Sequence, residues 1–206
     1  MEIKIINNIY NDENTYIVYK NGSAFVIDPG NNDEEIINEC KSLGVKIEAI
    51  LLTHCHYDHM EFLEELREKT NAPLMCGDNC ALNIANPKIN LTSLGLGRII
   101  KAKEPQKIIN DGETVNIVGI DVKCIYTPGH TNCSVCYIAE NNVFAGDTLF
   151  KRNCGRWDLP TGDGETLIKS IKEKLYTLDD EMTVYSGHGA NTSIGYEKNY
   201  NLVVKA

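Results

Sequence analysis

The sequence predicts an α/β fold in which two β-sheets pack together with helices outside. Three observations predict it. The elements run strands, helix, strand, helix, and the same order returns in the second half of the chain. No linker separates the two halves, so residues 1–206 read as a single domain built from two similar halves. The composition, 42% hydrophobic and 24% charged over 206 residues, supplies a sizeable core without a disulfide framework.

The elements follow from local patterns. Thr15–Lys20 and Ser23–Asp28 are β-rich and flank Asn21-Gly22, the pair favoured by a type I′ hairpin turn. Asp28-Pro29-Gly30 then breaks the strand. Asn32 followed by Glu35 reads as a helix cap, and the amphipathic stretch from Asp33 to Leu43 stops at Gly44. Ile47–Leu52 is a short apolar strand that delivers Thr53–His59. A second helix is expected over Met60–Lys69, with Phe62, Leu63 and Leu66 on one face. Past Pro73–Cys76, residues Gly77 to Gly97 suggest a short helix and a loop. Strands return after Lys107, over Glu113–Val118, Val122–Tyr126, Val135–Ala139 and Val143–Ala145. A helix over Gly164–Leu178, a strand over Met182–Tyr185 and a helical turn or two within Thr192–Tyr200 complete the chain.

Composition narrows the function classes. A net charge of -9 argues against a polyanionic partner, because nucleic-acid binding relies on Lys and Arg neutralising phosphates. No apolar run reaches the length of a membrane span, and the opening Met1–Ile6 leads into polar Asn7-Asn8 without the apolar core of a secretory leader. The expected compartment is the reducing cytoplasm, where the eight cysteines remain thiols or bind metal.

Histidine usage carries the chemistry. Three of the five histidines lie in Thr53-His54-Cys55-His56-Tyr57-Asp58-His59; the others are in Thr127-Pro128-Gly129-His130-Thr131 and Ser186-Gly187-His188-Gly189. Asp147, in Phe144-Ala145-Gly146-Asp147-Thr148, joins Asp58 to complete seven nitrogen and oxygen donors. Such donors suit catalytic zinc, which keeps a position open for water. On extended backbone His54 and His56 share one side, so they feed one metal while Asp58 and His59 feed a neighbour. His130 and His188 each complete one metal, and Asp147 bridges both. The expected cofactor is a pair of divalent ions, zinc first, with iron or manganese as alternatives.

Two adjacent cations make a bridging water acidic enough to act as hydroxide at neutral pH and polarise a carbonyl. Asp58 orients that hydroxide as well as binding metal. With all five histidines as ligands, none is free to protonate a leaving group. A thiolate leaves without much help, whereas an amine does not, so thioester cleavage suits the site better than amide hydrolysis. Tyr57 or Tyr126 as an acid keeps other esters open.

T-H-C-H-Y-D-H, T-P-G-H-T, F-A-G-D-T-L-F and S-G-H-G together resemble the metallo-β-lactamase superfamily, in family order from Asp28-Pro29-Gly30 to Gly189. The resemblance implies a four-layer αββα sandwich, two mixed sheets with outer helices and a dinuclear site at one edge. Within the superfamily, D-T-L-F-K-R-N-C-G-R-W (Asp147–Trp157) is similar to the glyoxalase II (hydroxyacylglutathione hydrolase) branch. That likeness implies Arg156 as the contact to the glutathione moiety and a small-molecule thioester such as S-lactoylglutathione as substrate. Two features depart from the branch: the C-terminal helical domain is lacking, and Gly189-Ala190 follow His188 where the family places a tyrosine. The alternative is a persulfide dioxygenase of the same superfamily, whose single iron would sit on His54, His130 and Asp147. β-Lactamase activity is disfavoured, because His59 and Asp147 complete a hydrolase-type second site.

Other features read as structural. Cys133-x-x-Cys136 on a strand would point its side chains to opposite faces, although Cys76 and Cys80 offer partners for a four-cysteine site. Cys55 and Cys154 read as packed thiols, and Trp157 as a candidate for the pocket mouth.

Overall fold

The computed structural model describes residues 1–95 and 98–206. Six strands form the first sheet in chain order: β1 (Glu2–Asn7), β2 (Asn14–Lys20), β3 (Ser23–Ile27), β4 (Lys46–Leu52), β5 (Leu74–Cys76) and β6 (Lys107–Ile108). The first three pair antiparallel and the rest parallel. Parallel neighbours need crossovers, and helices supply them. α1 (Asp33–Leu43) links β3 to β4, α2 (Leu63–Thr70) links β4 to β5, and the short α3 (Asp78–Asn83) and α4 (Thr92–Gly95) precede β6. Asn32 caps α1 by accepting from the Glu34 and Glu35 amides, and Gly44 ends it at φ 68°. Asn21 and Gly22 both take positive φ, the I′ requirement, and β2 pairs with β3 from Lys20 opposite Ser23.

The second sheet contains β7 (Thr114–Ile117), β8 (Ile120–Tyr126), β9 (Val135–Ala139), β10 (Asn142–Gly146), β13 (Thr183–Ser186) and β14 (Thr192–Ser193), in the order β14-β13-β10-β9-β8-β7. Between β10 and β13, β11 (Leu149–Phe150) and β12 (Asn153–Cys154) form a separate hairpin. α5 (Gly164–Ser170) runs on into a π-helical turn, Ile171–Leu175, and α6 (Ile194–Tyr200) follows β14.

Strand periodicity explains the layers. Ala24 and Val26 of β3 and Ile50 and Leu52 of β4 face outward onto Ile36 and Cys40 of α1 and Leu63 and Leu66 of α2. The alternate residues Phe25, Ile27, Ala49 and Leu51 face inward onto Val122, Cys124, Val135, Tyr137 and Phe144 of the second sheet. On the far side, Cys136, Val143, Ala145 and Val184 meet Leu167, Ile171, Leu175 and Ile194. β4 is apolar along most of its length because both its faces are covered. Helices, sheet, sheet and helices therefore make four layers.

Several expected boundaries shift. β1 was not foreseen: at the sheet edge Lys and Glu alternate with half-buried Ile, which leaves little apolar contrast. The helix expected over Met60–Lys69 begins at Leu63, because Tyr57–His59 form a tight 3-10 turn that aims side chains into the site. The Gly164–Leu178 helix changes pitch at Ile171. Within Gly77–Gly97, α3 and α4 appear, and the last two residues of that stretch lie outside those described.

The site follows from strand direction. β4, β8, β10 and β13 end at Leu52, Tyr126, Gly146 and Ser186, so Thr53, Thr127, Asp147 and Gly187 follow directly, all at one edge of the sandwich. Cross-sheet bonds lock that edge: Tyr137 Oη donates to the Leu52 carbonyl at 2.8 Å, and Asn14 Nδ2 donates to the Ser186 carbonyl at 3.0 Å.

Candidate metal centre

All seven donors expected from the sequence converge at this edge. His54, His56 and His130 bring one ligand atom each within 4.8 Å of one another, and so do Asp58, His59 and His188. Asp147 lies between the two groups. Its Oδ1 is 3.3 Å from His59 Nε2, and its Oδ2 is 3.5 Å from His130 Nε2 and 3.7 Å from His188 Nε2. The fold thus decides an assignment the spacing left open: His130 joins His54 and His56, and His188 joins Asp58 and His59.

Ring orientation is set from behind. The Nδ1 atom of His130 meets the Arg156 carbonyl at 2.6 Å, and that of His188 meets the Asn11 carbonyl at 3.0 Å. Thr53 Oγ1 lies 3.1 Å from His54 Nδ1, and Asp28 Oδ2 lies 3.1 Å from His59 Nδ1. These contacts turn Nε2 of each ring inward. His56 instead offers Nδ1, 3.0 Å from His130 Nε2, close to the edge between two nitrogens on one tetrahedral zinc, about 3.3 Å. Among the described residues, His54 Nε2, His56 Nε2, His59 Nε2 and Asp147 Oδ1 are buried without a hydrogen-bond partner. Buried orphans are costly and uncommon, and divalent cations would satisfy those that point inward. The residues fit the ions.

Electrostatics differ between the two groups. Burial, reinforced by neighbouring histidines, holds His54 well below the usual imidazole range, and burial brings His56 to about 4. Both are neutral with lone pairs ready. For His59 burial acts downward too, but Asp147, Asp28 and Asp58 raise it well above that range. His188 is likewise raised by Asp58 and Asp147 against burial. Burial pushes the Asp147 carboxyl up, and the adjacent His59, His130 and His54 outweigh it, so Asp147 ionises readily.

Three supporting residues were not singled out from the sequence. Asp28, only 1% exposed, accepts from the Thr53 amide at 2.8 Å and Thr53 Oγ1 at 2.6 Å, in addition to its contact with His59. It stands within ligand distance of His54 and His59, yet both its oxygens are already engaged, which makes it an anchor. The strand-breaking Asp-Pro-Gly was its visible trace. Asn90, fully buried, donates to the Ile84 carbonyl at 2.8 Å and accepts from Thr92, while its own carbonyl receives the Tyr57 amide between His56 and Asp58. Gly187 leaves room for the site: a Cβ there would fall on Asp147 Oδ1 and lie 2.8 Å from His59 Cε1.

A cavity of about 550 Å³ opens over the donors, lined also by Tyr57, Leu91, Leu94, Phe150, Cys154 and Leu159. Arg156 borders it, but its exposed guanidinium is held by Asp158 in two bonds of 2.7 Å. Trp157 packs against Gly164 instead of lining the mouth, which corrects its expected place. Tyr126 is also off the cavity, donating to the Ile109 carbonyl at 3.0 Å, so of the two tyrosines it is Tyr57 that lines it. Burial pushes the Cys154 thiol up to about 11, in keeping with a packed role.

The sequence profile described as the metallo-beta-lactamase superfamily matches residues 11–188. A probable metallo-hydrolase of Streptococcus pyogenes is 37% identical, over 96% of this chain and 88% of the relative. Hydroxyacylglutathione hydrolase GloC of Haemophilus influenzae is 33% identical, over 98% of this chain and 97% of its own. Among solved structures, the BLEG-1 B3 metallo-beta-lactamase superposes with TM-score 0.92 at 32% identity, covering 97% of this chain and 98% of that one. TTHA1623 in a di-iron-bound form gives 0.85 at 30%, covering 96% and 98%. ETHE1 from Myxococcus xanthus gives 0.80 at 27%, covering 98% and 83%.

Proposed function

The chain belongs to the metallo-β-lactamase superfamily and has its fold, and from that premise we propose a dinuclear metal-dependent hydrolase that cleaves small thioesters of the hydroxyacyl-thiol kind. The observation that carries this reading is the set of buried, unpartnered Nε2 and Oδ1 atoms gathered around two adjacent donor groups. His54, His56 and His130 would hold one ion, Asp58, His59 and His188 the other, and Asp147 would touch both. When bound, divalent cations supply Lewis acidity, making water nucleophilic at neutral pH and polarising a carbonyl oxygen. An all nitrogen and oxygen donor set suits zinc, and the likeness to the di-iron TTHA1623 makes iron the alternative.

The chain's own residues define the rest. Asp58, with Oδ2 3.4 Å from His188 Nε2, orients the attacking water from the cavity side. Asp147 holds its proton-free form between the two donor groups. No histidine is left over to protonate a leaving group, and Tyr57 stays neutral because burial raises its phenol. A thiolate needs no such proton, whereas an amine does. Leu91, Leu94, Phe150 and Leu159 offer apolar walls for the acyl chain or thiol stem. Arg156 is the group that would meet an anionic thiol half. The similarity to GloC supports this substrate class. Eight free thiols fit a reducing cytoplasmic setting.

The similarity to ETHE1 supports a second reading, a persulfide dioxygenase with iron on His54, His130 and Asp147. The likeness to BLEG-1 adds a β-lactam to the substrates worth testing. Protein purified without added metal, analysed for metal content, is then given S-D-lactoylglutathione, thioesters of other thiols, a β-lactam, and glutathione persulfide in an oxygen electrode. Thioester turnover with two metal equivalents is the expected result. Oxygen uptake on the persulfide with one iron would overturn it.

A further inference from the structure

Directly behind the three-histidine group lie four buried thiols that the proposed hydrolysis does not use. Cys55, between His54 and His56, has its Sγ 3.6 Å from Sγ of Cys133, which lies three residues beyond His130. Both are buried in the outer core of the first sheet. Thr131 Oγ1 approaches the Cys133 sulfur at 3.2 Å. Cys80 on α3 and Cys76 at the end of β5 pack against the pair. Cys136 faces the opposite side of its sheet, among Val143, Ala145 and Leu167, as the spacing of Cys133 and Cys136 on a strand implied, so the two do not pair.

We propose that Cys55 and Cys133 are a redox-active pair, oxidised by a small peroxide to a disulfide that disables the adjacent three-histidine group. One sulfur attacks a peroxide oxygen, breaking the O–O bond and forming a sulfenic acid as water departs. The second thiol then displaces the sulfenic oxygen as another water. Two thiols and one hydrogen peroxide thus give one disulfide and two waters, with sulfur oxidised and peroxide reduced. The sulfurs already touch, and forming the bond draws them from 3.6 Å to about 2.05 Å. One end of that movement is the residue joining His54 to His56, and the other is on the loop of His130. Metal–ligand distances in a well-formed site stay within about 0.2 Å of their standard values, so a backbone shift at these positions strains the three-histidine group. Burial excludes bulky reagents, so the oxidant is a peroxide little larger than water.

The cross-link stands on the thiol geometry alone; its effect on metal rests on the function proposed above. The test treats zinc-loaded protein with hydrogen peroxide. The expected result is loss of the mass of two hydrogens, a peptide map joining the Cys55 peptide to the Cys133 peptide, and loss of about half the zinc. Dithiothreitol restores the mass and, with added zinc, the metal. Ellman's reagent leaves the folded protein unmodified. Cys133→Ser keeps its zinc through the same treatment, as does Cys55→Ala should the first variant fold poorly, while Cys124→Ser, in the inter-sheet core, behaves as wild type. A map joining Cys133 to Cys76 or Cys80, peroxide yielding only sulfinic acid, or a Cys55–Cys133 disulfide with zinc retained would overturn the proposal. Reduced protein that binds no zinc would instead defeat the metal reading, and the peptide map would still decide the cross-link.

Discussion

Replacing Asp28 with asparagine separates the orientation of a ligand from the ligand itself. Asp28 touches no substrate; it holds Thr53 through both carboxylate oxygens and His59 through Oδ2. In Asp28→Asn the amide oxygen keeps the Thr53 amide, and the new NH₂ group occupies the place of Oδ2. It would face the His59 Nδ1 proton, donor against donor. The imidazole relieves the clash by moving its proton to Nε2, the nitrogen needed for metal. Loss of such a supporting contact costs about 10- to 100-fold in metal affinity, or about 1.4–2.7 kcal/mol. The Asp58, His59 and His188 group should bear that loss. The His54, His56 and His130 group is hydrogen-bonded to Asp28 through Thr53, with no direct bond of its own, and should change much less. Competition between the protein and a chromogenic zinc chelator resolves the two affinities. Equal weakening of both, or no weakening of either, would refute the reasoning.

Other substitutions test the remaining parts of the site. Gly187→Ala places a methyl on Asp147 Oδ1, and a displacement near 1 Å should cost about 100-fold in turnover with unchanged circular dichroism. Asn90→Ala leaves buried carbonyls unpaired at about 1–3 kcal/mol, which lowers the melting temperature by about 2–4 °C per kcal/mol; it should also raise KM more than it lowers kcat, because the same loop presents Leu91 and Leu94 to the cavity. Arg156→Ala should raise KM for acidic thioesters and Asp158→Ala lower it by freeing the guanidinium, with melting temperature unmoved in both. For pH, histidine binds metal only when neutral. His56, brought to about 4 by burial, and His54, held well below the usual range, are neutral without shedding protons. His59 and His188, raised by carboxylates, must shed protons to bind, so affinity at their group falls as pH drops. Calorimetry in buffers of different ionisation enthalpy should find more proton release on filling that group than on filling the other.

Much of the layered architecture was legible because strand and helix periods differ. Asn21-Gly22 set a hairpin, and Asn32 and Gly44 bounded a helix, whereas the inward and outward faces of the apolar strands β3 and β4 were separated only by packing. The edge strand β1, the 3-10 turn at Tyr57–His59 and the pitch change at Ile171 were not legible. Each depends on tertiary demand: pairing to β2, aiming ligands into the site, and packing along α5. Arg156 marks a similar limit, since its carbonyl sits behind His130 while its side chain is held by Asp158.

What this sequence determined by itself was the set of seven donors and their delivery at strand ends, because residue type and short-range spacing are local properties. Which histidine joins which group, that Asp147 lies between them, that Asp28 steers His59, and that Cys55 meets Cys133 were decided only by the folded chain. Those relations cross many tens of residues in most cases. They arise where the ends of β4, β8, β10 and β13 are brought to one edge by the packing of two sheets.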